Sequence, residues 1–114
     1  MIYISIEDFY KKAESCHVLS RQEEIECAQQ MKNGDAAARE RLIESYLPMV
    51  AAHVKRTNPH MQKLGLVLYC QQALENAVDS FDFLQDSEKF SHRLSWHLRQ
   101  AVVRYVLTIV SNDL

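Results

Sequence analysis

Apolar positions recur three and four residues apart along most of the chain, the spacing that gathers side chains on one face of an α-helix. Ile6, Phe9, Tyr10 and Ala13 follow Ser5-Ile-Glu-Asp8, a capping-box-like start, and predict a short first helix over about 5–15. Ser20 opens an S-x-x-E capping box with Glu23. Ile25, Ala28 and Met31 form the stripe behind it, and Gly34 supplies a left-handed stop, so a second helix is expected over about 20–33. Asp35 caps a run of strong helix formers, with Leu42, Ile43 and Tyr46 available to a core. Pro48 predicts a kink or a restart, after which the pattern runs to about Arg56 and ends at Asn58-Pro59.

From about Leu64 to Leu84 the residues Leu66, Val67, Cys70, Ala73, Leu74, Ala77, Val78 and Phe81 share one face, the pattern of a core helix. Its opposite face carries Gly65, Leu68, Tyr69, Gln72, Asn76 and Asp79. Residues 85–89 read as a loop, and Ser91 as the cap of a last helix reaching about Val110. Phe90, Leu94, Leu98, Ala101, Val102, Tyr105 and Ile109 form the expected buried stripe of that helix.

Composition narrows this to one all-α domain, a compact bundle of about five to six helices. In 114 residues there are 2 Gly and 2 Pro, too few for the tight turns of a β-sandwich or for a Gly-rich phosphate loop. No apolar run approaches the roughly 20 residues that span a bilayer, and the start lacks the basic and apolar segments of an export signal. Cys16, Cys27 and Cys70 are odd in number and have no C-x-x-C spacing, which fits reduced thiols in a cytoplasmic protein better than disulfides or a zinc site. Residues 1–47 hold 6 basic and 9 acidic side chains, whereas residues 48–114 hold 7 and 6. The second part is therefore the better candidate to meet a polyanion, although a net charge of −2 predicts that any grip on nucleic acid needs help from a partner.

Candidate chemistry lies on the last helix. Trp96 falls off the buried stripe and is surrounded at helical spacing by His92, Arg93, Arg99 and Gln100, with Lys89 and Arg104 nearby. A ring among cations and amides suits a stacked base flanked by phosphates. Residue type alone favours the other reading, a Trp packed beneath a neighbouring helix or loop with its N–H satisfied. Val103, Leu107 and Val110 make the far end of the helix apolar nearly all round, which points to a partner, a dimer or a following domain. The histidines include no i,i+4 pair or H-E-x-x-H, and no nucleophile motif is present. His53 and His60 read as ordinary surface or boundary residues, and neither an enzyme nor a cofactor is expected.

The order of these segments resembles bacterial RNA polymerase sigma factors of the sigma-70 family, regions 1.2 and 2, from about Asp8 to Tyr105. The resemblance is carried by Leu19-Ser-Arg-Gln-Glu-Glu-Ile-Glu, by Lys32-Asn-Gly-Asp through Tyr46-Leu-Pro-Met-Val, by Ala77-Val-Asp-Ser-Phe-Asp82, by Lys89-Phe-Ser91 and by Trp96-His-Leu-Arg-Gln-Ala-Val102. It implies an all-helical module in which one long helix docks on the clamp helices of the largest subunit of RNA polymerase core, while the last helix melts −10 promoter DNA and captures flipped bases. By position, Lys89, Phe90, Trp96 and Gln100 stand where the family keeps phosphate, stacking and base-pair contacts.

The chain also departs from the family. Its docking helix reads Gly65-Leu-Val-Leu-Tyr-Cys-Gln71 where the family usually reads Asp-Leu-Ile-Gln-Glu-Gly-Asn, so Gly65 and Tyr69 replace both acids. Arg93 stands at a base-capturing Tyr and His97 at a second Trp. The −35-binding region 4 lies outside the resemblance. The expected DNA face is thus Lys89, Phe90, His92, Arg93, Trp96, His97, Arg99, Gln100 and Arg104. The expected partner face is Gly65, Leu68, Tyr69, Gln72 and Asn76, and a homodimer through the apolar end of the last helix is a further expectation. A degenerate sigma-like interaction protein is the rival role.

Overall fold

The computed structural model describes residues 3–86 and 88–113; Met1, Ile2 and Ser87, which entered the expectations for the start and the loop, lie outside them. Among the described residues there are α-helices and one 3-10 turn, and no strand. They run as α1 (Ile6–Ser15), α2 (Arg21–Lys32), α3 (Ala36–Ser45), α4 (Leu47–Lys55), the turn Pro59–Met61, α5 (Leu64–Ser80) and α6 (Phe90–Asp113).

The early helices start where capping chemistry places them. Ser5 Oγ accepts from the Asp8 N–H at 3.1 Å, and Ser20 and Glu23 form the reciprocal capping box. Asp35 Oδ1 accepts from the Ala37 and Ala38 N–H groups at 2.9 and 3.1 Å. Gly34 has φ +91°, a conformation any side chain would strain, and it turns α2 into α3. Pro48 sits in the first turn of α4, where its missing N–H costs nothing, so the expected interruption is a restart after Tyr46.

α5 is the axis of the bundle, packed by α1, α3, α4 and α6. Leu66, Val67, Cys70, Ala73, Leu74, Ala77 and Val78 are buried along it, and α6 answers with Leu94, Leu98 and Ala101. A fork from Arg39 to Asp79, with Nε to Oδ1 at 2.7 Å and Nη2 to Oδ2 at 2.9 Å, ties α3 to α5.

Three expected boundaries shift. α5 stops at Ser80, four residues before Leu84, because Phe81 turns to an extended conformation (φ −94°, ψ 134°). The Asp82 carboxylate then accepts from the Leu84 and Gln85 N–H groups and holds a turn. Leaving the helix early lets Phe81 and Phe83 both reach the core, where each packs against Phe90. α6 begins at Phe90, so Ser91 is inside the helix and does not cap it; the Lys89 carbonyl accepts from the His92 and Arg93 N–H groups. At its other end α6 runs past Val110 to Asp113.

Phe81 meets Phe90 at one end of the α5–α6 pair, and Gly65 meets Tyr105 at the other, so the two helices are antiparallel. Beyond Tyr105 the last turns of α6 therefore overrun the start of α5. That overhang explains Ile109, expected in the buried stripe but 39% exposed, together with the exposed Leu107 and Val110; Val103 is exposed because, two turns after Trp96, it shares the outward face of the helix.

Candidate nucleic-acid and partner surfaces

The outer face of α6 is set by its inner one. Leu94, Leu98 and Ala101 are fully buried against α5 and fix the rotation of the helix. Trp96, half a turn from Leu94 and Leu98, must then point outward, and its side of the helix is open: the residue is 52% exposed. Its ring meets the edge of His97 at 5.2 Å between centroids and 87° between planes.

Glu88, His92, Arg93, Trp96 and Arg99 line an open depression of about 400 Å³. Arg99, Gln100 and Arg104 are exposed further along and Lys89 at the helix start, and residues 90–111 contain no acid. His97 is half-buried; its burial, with the charges of Arg93 and Arg104, holds its pKa below that of a free imidazole, so it is neutral at pH 7. In that form it both donates and accepts a hydrogen bond.

The structure brings eight of the nine expected DNA-face residues to this side or edge of α6. Phe90 is the exception. It is 3% exposed, with Tyr46 edge-on at 4.7 Å and Phe83 at 4.8 Å, because it begins the same stripe as Leu94 and Leu98. Its ring anchors the start of α6 in the core and offers no face to a base.

The partner face divides in the same way. Leu68, Tyr69, Gln72 and Asn76 line an open groove of about 340 Å³ between α5 and α6, which Arg104 closes on the α6 side. Gln72 Nε2 donates to Asn76 Oδ1 at 3.1 Å. Gly65 is turned inward: a Cβ there would lie 3.1 Å from the Tyr105 ring, so its position serves close helix packing. Tyr69 is partly claimed by α6 as well, with its ring edge-on to Tyr105 at 5.5 Å and its hydroxyl 3.0 Å from Thr108 Oγ1. Thr108 spends its own proton on the Arg104 carbonyl, so Tyr69 is the donor in that pair.

Glu88 is the site residue that sequence reasoning missed. Its Oε1 accepts from Arg93 Nε and Nη2, both at 2.6 Å. The spacing of five residues matches no helical pair rule, and the one available signal was an acid just ahead of a basic helix, where the helix dipole favours it. Among the described residues no cluster of His, Cys, Asp or Glu is arranged to hold a metal ion, and no helix is long and apolar enough to cross a membrane. Cys16, Cys27 and Cys70 are free thiols, the latter two buried.

No family model matches the chain. It is 37% identical over 108 residues to RNA polymerase sigma factor SigA of Clostridium acetobutylicum, an alignment that takes in 90% of this chain and 28% of that relative. The chain thus spans little more than a quarter of that relative's length.

Proposed function

The chain carries a sigma factor region of the sigma-70 family, and from that premise we propose that it acts in transcription initiation, binding RNA polymerase core and, with it, the single-stranded −10 region of promoter DNA. The role is one of binding and needs no catalyst or cofactor. The observation that carries it is the exposed Trp96 ring on an acid-free helix face beside His92, Arg93, Arg99 and Gln100. A base stacks on the ring, Arg99, Lys89 and Arg104 take backbone phosphates, and Gln100 and neutral His97 offer hydrogen bonds to base edges. The chain's net charge of −2 opposes a strong grip on DNA alone, so the polymerase holds the strand in reach. Leu68, Tyr69, Gln72 and Asn76 form the polymerase-facing groove in this reading.

Trp96 is the sole tryptophan, so its emission reports on the site without labelling. Titration with a single-stranded −10-type DNA at low salt is expected to quench it, and the quenching reverses as salt is added. Emission indifferent to the strand would contradict the assignment.

A second reading, a sigma-like protein that binds a protein partner or a second copy without melting DNA, is favoured by Gly65 and Tyr69 turned towards α6 and by the exposed Val103, Leu107 and Val110. It predicts a mass above that of one chain in light scattering at rising concentration, lowered by Leu107→Glu. A monomer mass throughout, with no protein captured, counts against it.

A further inference from the structure

Of the five residues lining the depression before Trp96, Glu88 alone is acidic. One of its carboxylate oxygens lies in the guanidinium fork of Arg93, 2.6 Å from both Nε and Nη2. A guanidinium fork is the geometry that receives a phosphate as readily as a carboxylate. Arg93, placed in the first turn of α6 and three residues from Trp96, is therefore an anion site already filled from within the chain.

We propose that Glu88 is an internal occupant of the Arg93 anion site, displaced by a backbone phosphate when a single strand lays a base on Trp96. The proposal rests on the reading of this face as strand-binding and adds its regulation: Arg93 joins the grip only by exchanging one anion for another. The geometry permits that exchange. The side chains of Arg93 and Glu88 keep 41% and 36% of their exposure, so water reaches both and neither charge is stranded when the pair opens. Glu88 sits in the loop ahead of α6, while Leu94 and Leu98 hold the helix from its other side, so releasing the carboxylate leaves the helix in place. Without a strand, the pair cancels one of the cations beside Trp96 and lowers the attraction of the face for anions it is not built to stack. With a strand, the released carboxylate stays close and disfavours phosphates that are not aligned on the Arg93 fork.

The test is anisotropy of a labelled single-stranded −10-type DNA at low salt, with the wild-type chain and with Glu88→Gln, Arg93→Gln, the double variant and Trp96→Ala. Glu88→Gln is expected to bind about threefold to fivefold tighter. The slope of log affinity against log salt is expected to steepen by about 0.7, the share of one further phosphate on a single strand. In the Arg93→Gln background the same change is expected to bring no gain. Two results overturn the proposal while leaving strand binding intact: Glu88→Gln binding no tighter than wild type, or a gain equally large without Arg93, which is only the removal of a negative charge. If the strand binds no variant, or binds Trp96→Ala as well as wild type, the strand-binding reading fails and the proposal falls with it.

Discussion

Gly65 lies where the Tyr105 ring of α6 comes within contact of the α5 backbone, so a side chain there has to displace the ring. Gly65→Leu is expected to destabilise the fold by about 1–3 kcal/mol, read as a lowered urea midpoint, because overpacking forces a shift of the helix pair. His97 carries a pH signature. Its pKa is lowered by burial first and by Arg93 and Arg104 after it, and His53 is lowered by burial, Arg56 and Arg99. Well above pH 6.5 both imidazoles are neutral, folded and unfolded alike. As the pH falls below that value the unfolded chain takes up protons first, so stability declines until the pH passes the lowered folded values. Urea midpoints from pH 7 towards pH 5 are expected to fall, and less steeply in His97→Asn; an equal slope in that variant would contradict the assignment. Residue type and residue position gave opposite expectations for Trp96, and position prevailed because the buried Leu94 and Leu98 leave it no inward direction. Phe90 was legible as a stripe residue, and only its role in resembling proteins placed it on the surface.

Helix starts were readable because a cap is a local bond between residues two or three apart. Ser20→Ala removes half of a reciprocal box and is expected to cost about 1 kcal/mol in thermal or urea unfolding. Helix ends set by distant packing were not readable. Phe81 fits helical spacing, yet α5 ends before it because two rings, Phe81 and Phe83, gain more by docking on Phe90 than one would within a continued helix. α6 divides by face, and the two faces respond differently to truncation. Leu98→Ala opens a cavity in the α5–α6 seam and is expected to cost about 2–5 kcal/mol. Trp96→Ala is expected to move stability by under about 0.5 kcal/mol while abolishing the stacking contact. A large loss of stability in Trp96→Ala would make the ring a packing residue and remove it from the site.

At the scale of the molecule, one core and about five to six helices were legible from periodicity, caps and a shortage of Gly and Pro, with Pro48 leaving a kink or a restart open; among the described residues it is a restart, and there are six α-helices. The two surfaces were only partly legible. The groove at Leu68, the inward turn of Gly65 and the Glu88–Arg93 pair all depend on how α5, α6 and the loop between them meet, and no spacing along one helix encodes that meeting. The same antiparallel register places the basic face near the start of α6 and the apolar overhang at its far end, with Arg104 between the basic face and the groove. In the proposed role the Trp96 face of α6 holds the promoter strand that the polymerase presents. The most direct test of that role is the binding of a forked −10-type DNA to core RNA polymerase carrying this chain, measured across a range of salt for wild type and Trp96→Ala. DNA binding is expected to be tighter with the polymerase than with the chain alone, to weaken steeply with salt and to fall roughly tenfold or more in the variant, with polymerase capture unchanged. Equal DNA binding by Trp96→Ala, with capture intact, would contradict that role.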